Sequence, residues 1–247
     1  MKNFSILLST AALILAAVAT VNTHKNPTVS SESGGAVSEE FTSQVAAALK
    51  EKPQIIVDAM QKYQDDMREA AEKEAQKALE SHIDEINNDA SAPFIGPKDA
   101  KVVVVEFFDF SCGYCKRLAP ELAKVAEANG DVKFIFKPLS FLAPISGYQA
   151  KAAIAAKQQG KFVEFYKKAM AERLNEAQTD ELAKSLGLDM DQYKKDMNSQ
   201  ETAKNLEEIS QLAEAIKVRG VPTVLINGKM VQAMSADDLQ SAIDAAK

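Results

Sequence analysis

Two cysteines, Cys112 and Cys115, are the residues of this chain whose type and spacing could do redox chemistry. They are its only cysteines, and they lie in Cys112-Gly113-Tyr114-Cys115, between an apolar run and a stretch with helical spacing. The free N–H groups and partial positive charge at a helix start favour the thiolate over the thiol at Cys112. Cys115, one turn further along, can attack a mixed disulfide formed at Cys112 and release the substrate. The pattern therefore predicts a nucleophilic thiol at Cys112 and a resolving thiol at Cys115.

Metal binding and a structural disulfide are alternative roles for this pair. The chain has only two histidines, so a four-ligand zinc site would need both His24 and His82, which lie in separate segments. A disulfide across one helical turn restrains little chain entropy, because its stabilising effect grows with the enclosed loop. We therefore expect no metal site, and we interpret the pair as redox-active.

The segments around the cysteines predict the elements that position them. KVVVVEFFDF, residues 101–110, is too continuously apolar for a surface strand and predicts a buried central strand. Apolar spacing predicts a helix from Cys112 to Asn129, bent at Pro120, and VKFIFKPL predicts the next strand. The remaining elements are about five short helices over residues 139–218, a hairpin of Thr223–Ile226 and Met230–Gln232 around Asn227-Gly228, and a helix capped by Ser235. This order predicts an α/β sandwich with a mixed sheet.

Two motifs together resemble one known family. EFFDFSCGYCKRLAPEL and the later GVPTVLINGK look like the thioredoxin superfamily, in its exported DsbA-like branch of thiol-disulfide oxidoreductases. The resemblance covers residues 93–247 and implies a thioredoxin fold with a helical insert at residues 140–217. It implies a cis Pro222 beside the sulfurs, which would expose the backbone of Val221 for pairing with an extended substrate. A trans turn is the alternative at Pro222.

Glu106 is an acidic residue inside the predicted central strand, six residues before Cys112. Similar proteins use such a buried acid for proton transfer to or from the resolving thiol, and burial would raise its pKa into a useful range. The alternatives are an edge position that reaches solvent and an ion pair with Lys137 of the neighbouring strand. Asp109 and Lys116 are expected to be solvated charges near the site.

The direction of the exchange is open, because the family signals disagree. Gly113 and Tyr114, expected to contact the substrate, resemble the dipeptide of the disulfide isomerase DsbC. Val221 before Pro222 resembles the oxidase DsbA, where DsbC-like enzymes carry Thr. The sequence favours an isomerase, with a DsbA-like dithiol oxidase as the alternative. A holdase, or a carrier of Cu(I) on two thiolates, is a further alternative.

The first residues have the pattern of an export signal. Residues 1–19 combine Lys2, an apolar core and the small-residue triplet Ala17-Val18-Ala19. They predict a signal peptide cleaved after Ala19, and the alternative is an uncleaved anchor in the inner membrane. Both place the rest of the chain in the periplasm. Residues 20–37, rich in Ser, Thr and Asn, predict a flexible linker.

Residues 38–90 predict a helical stalk. Ile56, Met60, Tyr63 and Met67 keep a spacing of three and four residues among many charged residues, as in a helix that meets a partner helix. The stalk is expected to form a homo-oligomer. The alternative is a helix folded back on its own domain.

Charge and resemblance limit the expected partners. Twenty-nine Lys and Arg against 35 Asp and Glu give a net charge of −6, without the clustered basic surface that nucleic acid requires. We expect no nucleic-acid partner and no cofactor. The resemblance implies exported cysteine-containing client proteins and a membrane redox partner that recycles the dithiol.

Overall fold

The structure, a computed structural model, describes residues 38–247. The predicted signal peptide, residues 1–19, and the predicted linker, residues 20–37, lie outside the described residues. The chain divides into two compact units, one ending at Tyr63 and the other running from Gln64 to Lys247. Within residues 38–247, no helix is long and apolar enough to cross a membrane.

The first unit contains helix α1, Glu39–Glu51, and the start of helix α2, Gln54–Ser81. Ser38 caps α1 by accepting a 3.2 Å hydrogen bond from the N–H of Phe41. Pro53 separates the two helices, because proline lacks the N–H that a continuous helix needs. The large apolar side chains of this unit are exposed: Phe41, Val45, Ile55, Ile56, Val57, Met60 and Tyr63. The helices predicted for the stalk are therefore confirmed, while its oligomerisation stays a prediction.

The second unit begins within α2 and includes helix α3, Ile83–Asn87. Leu79 and Ile86 are buried in one apolar cluster with Val103, Val105 and Ile135. The predicted stalk of residues 38–90 is thus divided between the two units, because its C-terminal part buries apolar side chains against the sheet.

The second unit is built on a mixed sheet of five strands, in the order β1-β3-β2-β4-β5. The strands are β1 Phe94–Ile95, β2 Val102–Phe108, β3 Val132–Pro138, β4 Thr223–Ile226 and β5 Lys229–Val231. The central β2 is parallel to β3 and antiparallel to β4, and all its residues are buried, as predicted. Strand β1 was not predicted, because two residues show no period.

Helices cover both faces of the sheet. Helix α4, Gly113–Ala128, follows β2, and helix α10, Ala236–Asp244, ends the chain. Five helices lie between β3 and β4, namely α5 Pro144–Gln158, α6 Phe162–Ala171, α7 Glu176–Ser185, α8 Met190–Met197 and α9 Gln200–Ala215. Along β2, Val104, Glu106 and Phe108 face one side of the sheet and Val103, Val105 and Phe107 face the other, since strand side chains alternate. The α/β thioredoxin fold with a helical insert, preceded by N-terminal helices, is confirmed.

A buried ion pair ties the segment after α3 to the sheet. The ammonium group of Lys137 on β3 lies 2.5 Å from the carboxylate of Asp89, and the Lys137 side chain is almost fully buried. Burial lowers the pKa of Lys137, although Asp89 opposes the shift. On the same strand, Lys133 donates a 2.9 Å hydrogen bond to the carbonyl oxygen of Asn87. These two lysines hold the chain between α3 and β1 in place.

Candidate active site

Cys112 lies where the loop after β2 becomes helix α4, and it is the N-cap residue of that helix. Its Sγ accepts a hydrogen bond from the N–H of Cys115 at 3.3 Å. The same sulfur donates to the carbonyl oxygen of Val221, also at 3.3 Å. Both cysteines are free thiols. The helix start therefore offers its N–H group to the sulfur that was predicted to be the nucleophile.

Cys115 is the less accessible of the two thiols. It is 0% exposed, against 5% for Cys112. Burial raises the pKa of the Cys115 thiol, and the nearby charges of Glu106 and Cys112 raise it further. Cys115 therefore holds its proton firmly until a base takes it, as a resolving thiol in reserve would.

The loop before β4 brings Val221 and Pro222 to the cysteines. The Val221–Pro222 peptide bond is cis, as the resemblance implied. Strand β4 pairs with β2 in antiparallel fashion, with Thr223 opposite Phe107, so the loop before β4 lies at the end of β2 that leads to Cys112. The sheet thus brings together residues that are 109 positions apart in sequence.

Glu106 is buried on β2, with 1% of its surface exposed. Its Oε2 accepts a 2.7 Å hydrogen bond from the hydroxyl of Tyr166, while its Oε1 has no hydrogen-bond partner within residues 38–247. Burial raises the pKa of Glu106 to about 7, and the bond from Tyr166 limits that rise. The two alternatives for Glu106 are wrong: the carboxylate does not reach solvent, and Lys137 pairs with Asp89 instead. Lys137 cannot reach it because its neighbour across the strand pair is Phe107, which faces the other side of the sheet.

Tyr166 is a site residue that the sequence did not identify. It lies on α6 of the helical insert and is buried, with its ring packed against Phe108, Phe136 and Phe162. The aromatic spacing of this segment predicted only a helix. The available signal was the hydroxyl itself, since a buried tyrosine needs a hydrogen-bond partner.

Asp109 is fully buried, so the expectation of a solvated charge is wrong. Its carboxylate accepts hydrogen bonds from four donors at 2.7 to 3.2 Å: the N–H groups of Ser111, Phe141 and Leu142, and the hydroxyl of Ser146. Its backbone carbonyl also accepts from the N–H of Cys112 at 2.9 Å. Asp109 therefore joins the loop before Cys112 to the loop after β3.

Lys116 is also not a freely solvated charge. Its ammonium group donates to the carbonyl oxygens of Ala169 and Glu172, at 2.9 and 2.6 Å. Burial lowers the pKa of Lys116, and the nearby charge of Arg173 lowers it further. The charge is thus held at the C-terminal end of α6, where the free carbonyl groups of a helix favour a cation.

Gly113 and Tyr114 occupy the first turn of α4, between the two cysteines. A side chain at Gly113 would meet no atom within 4 Å, so the surface there is open. The Tyr114 ring is exposed, and the guanidinium of Arg117 lies 4.2 Å from its centre. Both residues face a region open to a large substrate, and their contact with it stays a prediction.

Comparisons with known proteins agree with this geometry. The chain matches the sequence model of the thioredoxin family over residues 88–245. It is 31% identical to the probable disulfide bond formation protein D of Bacillus anthracis, over 61% of this chain and 76% of that protein. It is similar to the crystal structure of a linker-deletion mutant of ScsC from Proteus mirabilis, with 28% identity, a TM-score of 0.66, and coverage of 87% of this chain and 98% of the other.

A further match is to a much longer protein. The chain is 30% identical to the Na⁺/H⁺ antiporter NhaA 3 of Salinispora tropica over 54% of this chain, but it spans only 21% of the antiporter. The family match contains Glu106, both cysteines and Pro222. The chain belongs to the thioredoxin family, and within it the chain is similar to DsbA-like thiol-disulfide oxidoreductases.

Proposed function

We propose that this chain is a periplasmic thiol-disulfide oxidoreductase for exported proteins, with isomerase activity favoured over net oxidation. The observation that carries the proposal is the position of Cys112 Sγ, which lies 3.3 Å from both the helix N–H of Cys115 and the carbonyl of Val221. One sulfur is thus placed between a helix start and a backbone segment beside which a substrate chain can lie.

The first step is attack by Cys112 on a client disulfide. The Cys112 thiolate forms a bond to one client sulfur, and the S–S bond of the client breaks. The other client sulfur leaves as a thiolate. The result is a mixed disulfide between Cys112 and the client, with no net change in the number of disulfide bonds.

The second step depends on which thiolate attacks next. In isomerisation, a client thiolate forms a new client disulfide and displaces Cys112, which returns to its thiolate form. In reduction, Cys115 gives its proton to Glu106 and attacks Cys112 Sγ, and the client sulfur leaves as a thiolate. The second route moves two electrons to the client and leaves a disulfide between Cys112 and Cys115. Oxidation of a client dithiol is the reverse of that route.

Glu106 is suited to the proton transfer. Its Oε1 accepts no hydrogen bond within residues 38–247, and its pKa of about 7 lets it accept and release a proton near neutral pH. The backbone at Val221, next to the sulfur, is expected to pair with an extended client segment, with Gly113 and Tyr114 on the opposite side of the thiol.

The isomerase preference rests on the first unit. Its exposed apolar side chains can form helix contacts between copies of the chain, and an oligomer presents several dithiols to one misfolded client. A membrane redox partner would return the dithiol to its working redox state. The DsbA-like oxidase is the second candidate, supported by Val221 before the cis proline.

Trapping of the mixed disulfide tests the proposed chemistry. In Cys115→Ser, the second route is blocked, so a client should remain attached to Cys112 and the adduct should be seen by intact-protein mass spectrometry. The matched Cys112→Ser variant should form no adduct. Equal adducts on the two variants would contradict the assigned roles.

Deletion of the exposed helical segment tests the isomerase preference. Residues 38–63 can be removed without loss of Leu79 and Ile86, which the core of the second unit needs. The deletion should abolish rescue of a client with scrambled disulfides and preserve oxidation of a dithiol client. Isomerisation at the full-length rate would instead favour the oxidase, as would an equilibrium potential near that of strong oxidants, about −120 mV.

A further inference from the structure

A cavity of about 280 Å³ opens beside the loop that leads into Cys112. Ser111, the residue before Cys112, lines it together with Lys116, Gln149 and Arg173. Gln149 is almost fully buried. The cavity therefore has polar and cationic walls, and it lies within one residue of the nucleophilic thiol.

Two cations meet at this cavity without a carboxylate partner. Within residues 38–247, the guanidinium of Arg173 makes no hydrogen bond and no ion pair, and Lys116 bonds only to the backbone carbonyls of Ala169 and Glu172. The two charges are close enough for Arg173 to lower the pKa of Lys116. The nearby acid, Asp109, is buried and already accepts from four donors. An anion in the cavity would relieve the repulsion between the two cations.

We propose that this cavity is a subsite for a carboxylate of the disulfide substrate, held by Arg173 and Lys116 while the substrate sulfur reacts at Cys112. The inference rests on the proposed function and adds a preference for acidic substrates. The volume suits one carboxylate-bearing side chain with its water rather than a whole peptide. The carboxylate could come from an acidic residue near a client cysteine or from a small acidic thiol such as glutathione.

Adduct formation with small disulfides tests the subsite. In full-length Cys115→Ser, the rate of adduct formation at Cys112 is measured with glutathione disulfide, which carries carboxylates, and with bis(2-hydroxyethyl) disulfide, which is uncharged. The ratio of the two rates within one variant cancels any change in the reactivity of Cys112. Arg173→Gln, Arg173→Lys and, as a control, Arg68→Gln are then compared. Arg68 is an exposed arginine of α2, so its substitution changes the net charge by the same amount.

Arg173→Gln should lower the ratio roughly fivefold, as expected for loss of one solvent-exposed charge pair. Arg173→Lys should retain most of the ratio, Arg68→Gln should leave it unchanged, and added salt should reduce it in the parent protein. An unchanged ratio in Arg173→Gln, or an equal fall in Arg68→Gln, would overturn the subsite. No adduct with either disulfide in any variant would overturn the proposed function itself, so the two failures are distinct.

Peptide disulfides identify the source of the carboxylate. Two peptides are compared that differ only in Glu or Gln beside the cysteine. A preference for the Glu peptide that is lost in Arg173→Gln would support acidic client segments as the ligand. If the effect of Arg173→Gln is confined to glutathione disulfide, the subsite serves the small acidic thiol.

Discussion

The hydroxyl of Tyr166 donates a 2.7 Å hydrogen bond to the carboxylate of Glu106 in the interior of the second unit. Tyr166 belongs to the helical insert, while Glu106 belongs to the central strand. The insert thus acts directly on the group proposed as the proton acceptor, because the bond stabilises the carboxylate form of Glu106.

Tyr166→Phe should shift the pH dependence of the step carried out by Cys115. Loss of the hydrogen bond raises the pKa of Glu106 above about 7, so the carboxylate that accepts the proton forms only at higher pH. The measurement is the rate at which a glutathione adduct on Cys112 is released, followed from pH 5 to 9. The midpoint should rise by roughly one pH unit. Tyr148→Phe, which removes a hydroxyl bonded to Asp180, is the matched control and should leave the midpoint in place.

Glu106→Gln should change how stability depends on pH. The pKa of Glu106 is about 7 in the folded protein, against an ordinary value of 4.5. Below about 4.5 both states are protonated, and between that value and about 7 only the unfolded state has released the proton. The native protein therefore loses stability on the order of 3 kcal/mol as the pH rises through this window.

Urea unfolding of the reduced protein at pH 4.5 and pH 8 measures this loss. Glu106→Gln should stabilise the protein at pH 8 and do so much less at pH 4.5. Glu181→Gln, at an exposed carboxylate, is the control and should show no such difference. A parallel pH dependence in Glu106→Gln and the native protein would contradict the assigned titration.

Asp109→Asn should destabilise the protein by roughly 2 to 4 kcal/mol, because an amide offers one acceptor oxygen to four buried donors. Its NH₂ group would also face donors at the second oxygen position. Denaturant unfolding measures the loss, and Asp131→Asn at the surface should have little effect. If the two variants were equally stable, the buried network would not hold the loop before Cys112.

The pair of Asp89 and Lys137 should show an asymmetric response to substitution. Asp89→Asn leaves the buried ammonium group of Lys137 without a counterion and should cost about 3 to 5 kcal/mol. Lys137→Met should cost less, because Asp89 is more exposed and can be hydrated. The double variant should recover much of the loss in Asp89→Asn. Equal losses from the two single variants would contradict this account.

Ile56→Glu combined with Met60→Glu should shift the oligomer toward monomer. Both side chains are exposed on α2, and a charge in a helix contact between copies is costly. Sedimentation velocity gives the mass in solution. Lys62→Glu and Glu69→Lys together, with no change in net charge, form a surface control expected to keep the native mass. A monomeric native protein would remove the basis for the proposed oligomer.

Local patterns carried much of the fold. The apolar run of β2, the helix after Cys112, the five helices of the insert and the turn at Asn227-Gly228 were all predicted, because each depends on the period of apolar residues or on turn residues within a short window. The strand β1 was missed because its two residues owe their conformation to pairing with Phe134 and Ile135 on β3.

The site divides in the same way. The sequence by itself determined the two thiols, the helix start that holds Cys112 and the acidic residue in the central strand, since these lie within ten residues of one another. Only the tertiary structure decided that Tyr166 reaches Glu106, that Lys137 pairs with Asp89, and that Asp109 is enclosed by four donors. Such partners come from distant parts of the chain. The cost of burying an unpaired polar group selects them, and that cost exists only once the core has formed.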